Sequence, residues 1–124
     1  MVVGLTPIDH GHGLVLFLLT LALGGHYVHL SPAAAARMLP RKPRVDLLSG
    51  VPTQLADLAD ALTEPLPRPA RIVLSGSDRL RPELADRLEH LVGPVWNAYG
   101  STETGTVCLA GPVDRALDPD CVGR

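Results

Sequence analysis

The sequence lacks the charge pattern of a protein that binds polyanions. Its 11 basic and 13 acidic residues give a net charge of −2, and no run of basic residues is longer than Arg41-Lys42. Nucleic acids and acidic membrane surfaces attract a basic patch or stripe, which this chain does not carry. We therefore expect no nucleic-acid partner and favour a small-molecule ligand.

Cysteines and long hydrophobic runs are also scarce. Cys108 and Cys121 lie outside any metal-binding spacing, which is typical of buried thiols in a reducing cytoplasm, and a disulfide between them is the alternative. Residues 14–23 are apolar except for Thr20, but a transmembrane helix needs about 20 apolar residues. No Lys or Arg precedes this run, as a secretory signal would require. We expect a helix buried in the core, not a transmembrane segment.

Short apolar strands alternate with helices along the chain. The 124 residues are enough for one small domain, and prolines or glycines mark most of the element boundaries. The pattern predicts strands at 1–5, 27–30, 45–48, 71–76, 95–99 and 106–110, and helices at 14–23, at 31–39, from 52 and from 82. Strand, helix and strand in this order predict parallel crossovers. The expected fold class is α/β, with a partly parallel sheet flanked by helices.

A polar segment follows the strand predicted at 95–99. Residues 97–105 read Asn-Ala-Tyr-Gly-Ser-Thr-Glu-Thr-Gly, so three hydroxyls and one carboxylate lie between two glycines. Ligands collect at the carboxyl ends of parallel strands, where glycine lets the backbone approach a phosphate. If the strands at 71–76 and 95–99 are neighbours, Gly76-Ser77 and this segment leave the same edge. An ordinary turn rich in small residues is the alternative for both loops.

These residues resemble a family signature. Tyr99-Gly100-Ser101-Thr102-Glu103 is similar to the tyrosine-glycine-x-threonine-glutamate motif of the adenylate-forming (AMP-binding) superfamily, which includes acyl-CoA synthetases, luciferases and peptide-synthetase adenylation domains. Four other segments resemble family motifs in the same order: the segment Pro7-x-x-His10-x-x-Gly13, and residues 50–53, 72–84 and 122–124. The form of the signature is most similar to the bacterial fatty-acyl-CoA synthetase branch.

The resemblance implies a nucleotide site and its cofactors. The family activates a carboxylic acid with ATP, giving acyl-AMP and pyrophosphate, and then transfers the acyl group to CoA; Mg²⁺ neutralises the phosphates. By resemblance, Tyr99 lies against adenine, Thr102 contacts the α-phosphate and Glu103 is a magnesium ligand. Asn97, Gly100 and Ser101 belong to the same nucleotide-binding segment, and Thr102 and Glu103 serve catalysis.

A second group of residues is implied on the carboxylate side. His10 matches the family histidine near the acid substrate, and Gly76, Ser77 and Asp78 match the loop that lines the adenine and acyl pockets. Ser77 and Asp78 depart from the glycine or alanine that the family often has there. A packed or solvated histidine is the alternative for His10. Imidazoles at 10, 12, 26 and 29 have spacings that also occur in metal sites.

Parts of the family pattern have no counterpart in the sequence. We find no Ser/Thr/Gly-rich phosphate loop with its lysine before Pro7, and no C-terminal domain with a catalytic lysine; Lys42 is the only lysine. Residues 1–124 are therefore expected to form one partial AMP-binding domain of an AMP-forming acid-CoA ligase. The isolated chain is expected to be inactive. Alternatives are a non-catalytic adenylate-binding module, one part of a split enzyme with a companion domain or chain, and a structural remnant.

Overall fold

The computed structural model describes residues 1–42, 44–101, 103–118 and 121, which form a single sheet with helices on both faces. The motif residues Thr102, Val122, Gly123 and Arg124 lie outside the described residues. The elements in chain order are β1 (Val2–Gly4), α1 (Gly11–Ala22), β2 (Tyr27–His29), α2 (Pro32–Met38), a 3-10 turn (Leu39–Arg41), β3 (Leu47–Gly50), α3 (Pro52–Ala61), β4 (Ile72–Ser75), α4 (Pro82–Leu91), β5 (Val95–Ser101), β6 (Gly105–Ala110) and α5 (Pro112–Leu117).

The sheet has the strand order β2-β1-β3-β4-β5-β6. The first five strands are parallel, and β6 pairs with β5 in the antiparallel direction. Each parallel crossover passes through a helix, as the alternating pattern predicted. The predicted α/β class with a partly parallel sheet is confirmed.

Local sequence signals explain where the helices begin. Proline occupies the first position of α2, α3 and α4. A backbone N–H at this position makes no hydrogen bond within the helix, so proline can lack it without cost, and the fixed φ angle of proline suits the helix. The Ser31 hydroxyl accepts a hydrogen bond from the Ala34 N–H at 3.3 Å, which caps α2. At α3, the Gln54 side chain accepts from the Val51 N–H at 3.2 Å.

The hydrophobic core lies between the sheet and helices α2, α3 and α4. Val3, Leu48, Val73 and Val95 share this face. They are register partners on successive strands: Val3 pairs with Leu48, Leu48 with Val73, and Val73 with Val95. All four are fully buried. The helices contribute Ala35, Leu55, Leu58, Ala59, Ala85 and Leu88, and Leu62, directly after α3, adds to the same core. The apolar stripes of α3 and α4 therefore pack against the sheet.

The expectation of a buried first helix is wrong for these residues. Helix α1 forms at Gly11–Ala22, but within it only Gly13 and Thr20 are buried. Five of its apolar side chains are 44–56% exposed: Leu14, Val15, Leu18, Leu19 and Leu21. A run of apolar residues predicts a helix correctly, but it does not show whether anything covers the helix. Among the described residues, no helix has the length and apolarity needed to cross a bilayer.

A short helix follows β6. No element was predicted from the sequence after residue 110, and the described part of this segment contains α5. Arg115 on this helix donates to the Val95 carbonyl at 2.7 Å and forms an ion pair with Glu89 of α4. These polar contacts attach a short helix whose apolar residues Val113 and Leu117 remain exposed.

Candidate functional site

The carboxyl ends of three parallel strands meet at one edge of the sheet. Ser75 at the end of β4 is the register partner of Gly50 on β3 and of Asn97 on β5. The loop that begins at Gly76 therefore leaves the sheet beside the β5–β6 segment. This juxtaposition was predicted from the strand order, and it brings the two candidate ligand loops to the same edge.

Two polar atoms at this edge are buried without a partner. Ser75 is fully buried, Asn97 is 9% exposed, and neither the Ser75 Oγ nor the Asn97 Oδ1 has a hydrogen-bond partner within the described part of the chain. Buried polar atoms are normally satisfied, because leaving one unpaired costs roughly 1–3 kcal/mol. The two atoms lie on adjacent strands on the same face of the sheet. They therefore have unused hydrogen-bonding capacity at this edge. Ser75 was missed because it looks like an ordinary strand residue.

The predicted turn at 99–105 is part of a hairpin. Strand β5 continues through Tyr99 and Gly100 to Ser101, and Ser101 pairs with Gly105 of β6. A register shift lies between Tyr99 and Gly100. The sequence placed the strand end at Tyr99, because glycine and hydroxyl residues usually signal a turn. Pairing with β6 extends the strand beyond that point and carries the motif outward on the hairpin.

Gly100 has a structural role in this hairpin. A Cβ added there would lie 1.9 Å from the Gly105 carbonyl oxygen, so a side chain would separate the two strands. Gly105 itself has φ +67°, a conformation that favours glycine. The two glycines of the motif thus allow the hairpin to close. Tyr99, on the same face of β5 as Asn97, is 58% exposed and presents its ring at the edge.

The hairpin tip is held by hydroxyl groups. The Ser101 Oγ and the Thr104 Oγ1 are 3.1 Å apart, and each also accepts a hydrogen bond from the other residue's backbone N–H at 3.2 Å. A hydrogen bond from the Ser101 side chain, followed by one from the backbone, lowers the pKa of Glu103. The exposed Glu103 carboxylate is therefore ionised and accessible to a cation. Thr102, predicted to contact the α-phosphate, lies outside the described residues.

The loop after β4 has a strained backbone. Ser77 has φ +70°, in the left-handed region that side chains other than glycine rarely adopt. This is one of the two positions where the sequence departs from the glycine or alanine of the family pattern. Asp78 accepts a hydrogen bond from the Arg79 N–H at 2.7 Å, and both Ser77 and Asp78 are exposed. The loop thus presents a hydroxyl and a carboxylate to solvent.

Two histidines near the start of α1 have different environments. His10 is exposed and immediately precedes the helix, where it was predicted to approach an acid substrate. His12, in the first turn, places its Nε2 2.8 Å from the Ser49 Oγ of β3. A Cβ added at Gly76 would lie 2.9 Å from the His12 ring. Burial, and secondarily the proximity of His10, lowers the pKa of His12.

His12 was considered in the sequence only as one of four possible metal ligands. In residues 1–42, 44–101, 103–118 and 121, no three His, Cys, Asp or Glu side chains are grouped closely enough to hold a metal. The contact of His12 with Ser49 and Gly76 instead joins the first turn of α1 to the ligand edge. The H-x-H spacing drew attention to His12. It did not indicate that His12 contacts β3, because that contact depends on how α1 packs against the sheet.

Comparison with known proteins identifies the family. Residues 1–124 match the family model described as AMP-binding enzyme. The structure of o-succinylbenzoate CoA synthetase from Bacillus subtilis with a product analogue superimposes with a TM-score of 0.83 and 23% identity, over 99% of this chain and 26% of that chain. The same enzyme solved with ATP and a magnesium ion gives 0.78 and 23%, over 94% and 25% of the two chains.

A third structure is a putative long-chain-fatty-acid CoA ligase from Rhodopseudomonas palustris. It matches with a TM-score of 0.78 and 26% identity, over 100% of this chain and 32% of that chain. No curated protein matches the sequence. The chain therefore spans only about a quarter to a third of these solved structures. Because the family model covers all 124 residues, the chain belongs to the AMP-binding enzyme family.

Proposed function

We propose that this chain forms the adenylate-binding edge of an AMP-forming acid-CoA ligase. One observation carries the proposal: Ser75, Asn97 and Tyr99 share one face at the carboxyl end of the sheet, where two buried polar atoms lack partners and an aromatic ring is exposed. A purine needs polar atoms around its edge and an apolar surface against its ring. This combination fits an adenine better than it fits a simple anion.

The remaining residues suit the phosphates and the acid. Glu103 supplies an ionised oxygen ligand of the type that Mg²⁺ prefers, and Thr102 follows Ser101 at the position proposed for the α-phosphate contact. Gly76, Ser77 and Asp78 leave the sheet beside the adenine position, and His10 precedes α1. We assign these four residues to the side of the carboxylate substrate.

The reaction proposed for the complete enzyme has two steps. The substrate carboxylate attacks the α-phosphorus of ATP, the bond to pyrophosphate breaks, and acyl-adenylate forms. The CoA thiol then attacks the acyl carbon, which gives the thioester and releases AMP. When bound, Mg²⁺ neutralises phosphate charge. The residues of this chain bind and orient the adenylate, and a fatty acid is the substrate class that the form of the signature favours.

We further propose that residues 1–124 are one partial AMP-binding domain and act in the cytoplasm. The partial domain is supported by the limited share of the solved structures that the chain spans, 26% of the Bacillus subtilis enzyme. The chain on its own is expected to show no ATP–pyrophosphate exchange. Fatty-acid-dependent exchange that disappears in Glu103→Ala would overturn that expectation.

Binding of AMP tests the proposed site without requiring catalysis. Isothermal titration calorimetry of the 124-residue chain should detect AMP binding that Tyr99→Ala weakens by about tenfold, because one stacked base contributes roughly 1–3 kcal/mol. Tyr99→Phe is the matched control, since it keeps the ring and should keep the affinity. Glu103→Gln should weaken binding of ATP with Mg²⁺ and leave binding of AMP without metal unchanged.

The same titration addresses the second candidate function. A non-catalytic adenylate-binding module is favoured by the presence of Ser75, Asn97 and Tyr99 on one face of a chain that spans about a quarter of the matched enzyme. It predicts AMP binding with the same dependence on Tyr99. A folded chain that binds neither AMP nor an acyl-adenylate analogue would argue against both the module and a retained site, and would favour a structural remnant.

A further inference from the structure

A depression in the protein surface lies where α2 ends. It has a volume of about 390 Å³ and is lined by Arg37, Met38, Arg41 and Lys42; we call it the basic depression. The first two of these residues belong to the last turn of α2, and the other two lie at the end of the 3-10 turn that follows. Small-molecule sites typically have volumes of roughly 300–1,000 Å³, so the depression is large enough for a small ligand.

The basic depression is separate from the candidate adenylate site. In a parallel crossover the helix runs back against the direction of the strands, so it ends at the amino edge of the sheet. Helix α2 follows β2 and ends before β3, which starts at Leu47. Ser75 and Asn97 lie at the carboxyl edge, where the parallel pairing of β4 and β5 ends. A ligand in the basic depression would therefore not occupy the edge that carries Tyr99.

The three cations of the basic depression have no carboxylate partner among the described residues. Other cations at the same edge of the sheet are paired, since Arg44 and Arg71 both form ion pairs with Asp46. The cluster therefore concentrates positive charge in one place without an internal anion. Such a cluster attracts a negatively charged ligand.

The local backbone brings these cations together. Arg37 and Arg41 are four residues apart, a spacing at which like charges on a helix destabilise each other. The Arg41 guanidinium donates to the Arg37 carbonyl oxygen, which holds it against the end of α2. The helix dipole favours a cation only within the last turn, and Lys42 lies beyond it. An anion bound between the three side chains would reduce their mutual repulsion.

The composition of the lining favours a phosphate monoester. This group carries roughly 1.5–2 negative charges at pH 7, and its oxygens accept paired hydrogen bonds from a guanidinium. Met38 is half-buried and gives the depression an apolar side, against which the carbon part of an ester can lie. A lipid headgroup is less suitable, because the described residues between Leu23 and Ile72 include no exposed large apolar side chain that could enter a bilayer.

We propose that the basic depression binds a small, soluble phosphate monoester. Arg37, Arg41 and Lys42 hold the phosphate, and Met38 contacts the organic part of the ligand. The proposal depends on the charge and shape of this surface, and it is independent of the proposed adenylate site.

Isothermal titration calorimetry of the 124-residue chain with phenyl phosphate at low ionic strength tests the proposal. Arg37→Gln and Lys42→Gln should each weaken binding by about tenfold, because each removes a charge-assisted contact with the phosphate. Arg37 is exposed and Lys42 is half-buried, so both variants should fold, which thermal melting checks. Arg71→Gln is the matched control, since it removes the same charge at the same edge but outside the depression, and it should change the affinity little.

Two further titrations separate the parts of the site. Phenyl sulfate has a shape similar to that of phenyl phosphate but only one negative charge, so it should bind more weakly. Met38→Ala should weaken the binding of phenyl phosphate and leave the weaker binding of inorganic phosphate unchanged, because only the ester has an apolar part. Equal losses for both ligands would contradict the role given to Met38.

Four outcomes would overturn the proposal. The first is no measurable binding of phenyl phosphate at millimolar concentration. The second is an equal loss in Arg71→Gln and Arg37→Gln, which would show an effect of overall charge alone. The third is loss of binding in Tyr99→Ala, which would place the ester at the adenylate edge. The fourth is co-sedimentation with phosphatidic acid vesicles that Arg37→Gln removes, which would assign these residues to a lipid headgroup.

Discussion

The Nε2 of His12 lies 2.8 Å from the Oγ of Ser49, so one hydrogen bond joins the first turn of α1 to the end of β3. Gly76, the first residue after β4, also lies next to this ring, since a Cβ added there would be 2.9 Å from the His12 Cε1. The imidazole thus contacts residues at two of the strand ends that form the candidate site. Its protonation should affect the stability of this edge.

Stability should fall on mild acidification because of His12. Burial holds the pKa of His12 in the folded chain below its ordinary value of about 6.5, so the unfolded chain takes up a proton first as the pH falls. The contribution is fully present above about pH 6.5 and is lost as the pH falls toward the lower pKa of the folded state. Melting temperatures between pH 8 and 5 should therefore decline less in His12→Asn than in the unaltered chain. His26→Gln, at an exposed position, is the control, and an identical decline in His12→Asn would contradict this assignment.

Replacement of Ser77 by glycine should stabilise the chain. The left-handed conformation at φ +70° costs a residue with a Cβ roughly 1–2 kcal/mol, and glycine avoids this cost but loses about 0.4–1 kcal/mol through greater freedom when unfolded. We expect Ser77→Gly to raise the free energy of unfolding by about 0.5–1 kcal/mol in urea titrations. Ser77→Ala keeps the Cβ and should give no gain. A gain of the same size in Ser77→Ala would show that the hydroxyl, not the backbone, causes the strain.

The order of strands and helices could be predicted because local signals coincide with the final structure. Proline at the first position of α3 and α4, and apolar runs such as 71–76, are visible without tertiary information. The extension of β5 to Ser101 could not be predicted in this way, because it depends on backbone pairing with β6. Glycine at 100 reads as a turn in the sequence, whereas in the structure it allows two strands to approach.

The candidate site was predictable only in part, because some of its features depend on tertiary contacts and not on local sequence. Asn97 and Tyr99 were found because they belong to a motif with a recognisable order of residue types. The unpartnered Ser75 Oγ and the contact of His12 with Ser49 arise from register and helix placement, which local sequence does not encode. The exposure of α1 was also not predictable, since an apolar run gives no information about which layer of protein covers it.

The close packing of Gly4 against Tyr27 gives a prediction about the first crossover. A Cβ at Gly4 would lie 2.1 Å from the Tyr27 hydroxyl oxygen, so Gly4→Ala should lower the free energy of unfolding by roughly 1–3 kcal/mol through overpacking. The Tyr27 hydroxyl is buried with no hydrogen-bond partner among the described residues. Tyr27→Phe should therefore be neutral or slightly stabilising in the same urea titration. A large loss in Tyr27→Phe would reveal a hydrogen bond to that hydroxyl.

The ionisation of Glu103 should depend on the Ser101 hydroxyl. A hydrogen bond from this side chain is the largest cause of the lowered pKa of Glu103, so Ser101→Ala should move that pKa back toward its usual range. The carboxyl carbon resonance of Glu103, followed by NMR over pH 2–7, measures the change directly. Ser77→Ala on the neighbouring loop is the matched serine-to-alanine control and should leave the midpoint unchanged. If Ser101→Ala leaves it unchanged as well, the backbone hydrogen bond alone holds the carboxylate in its ionised form. If the midpoint rises, Mg²⁺ should bind the Ser101→Ala variant more weakly at low pH, because protons then compete with the metal over a wider range.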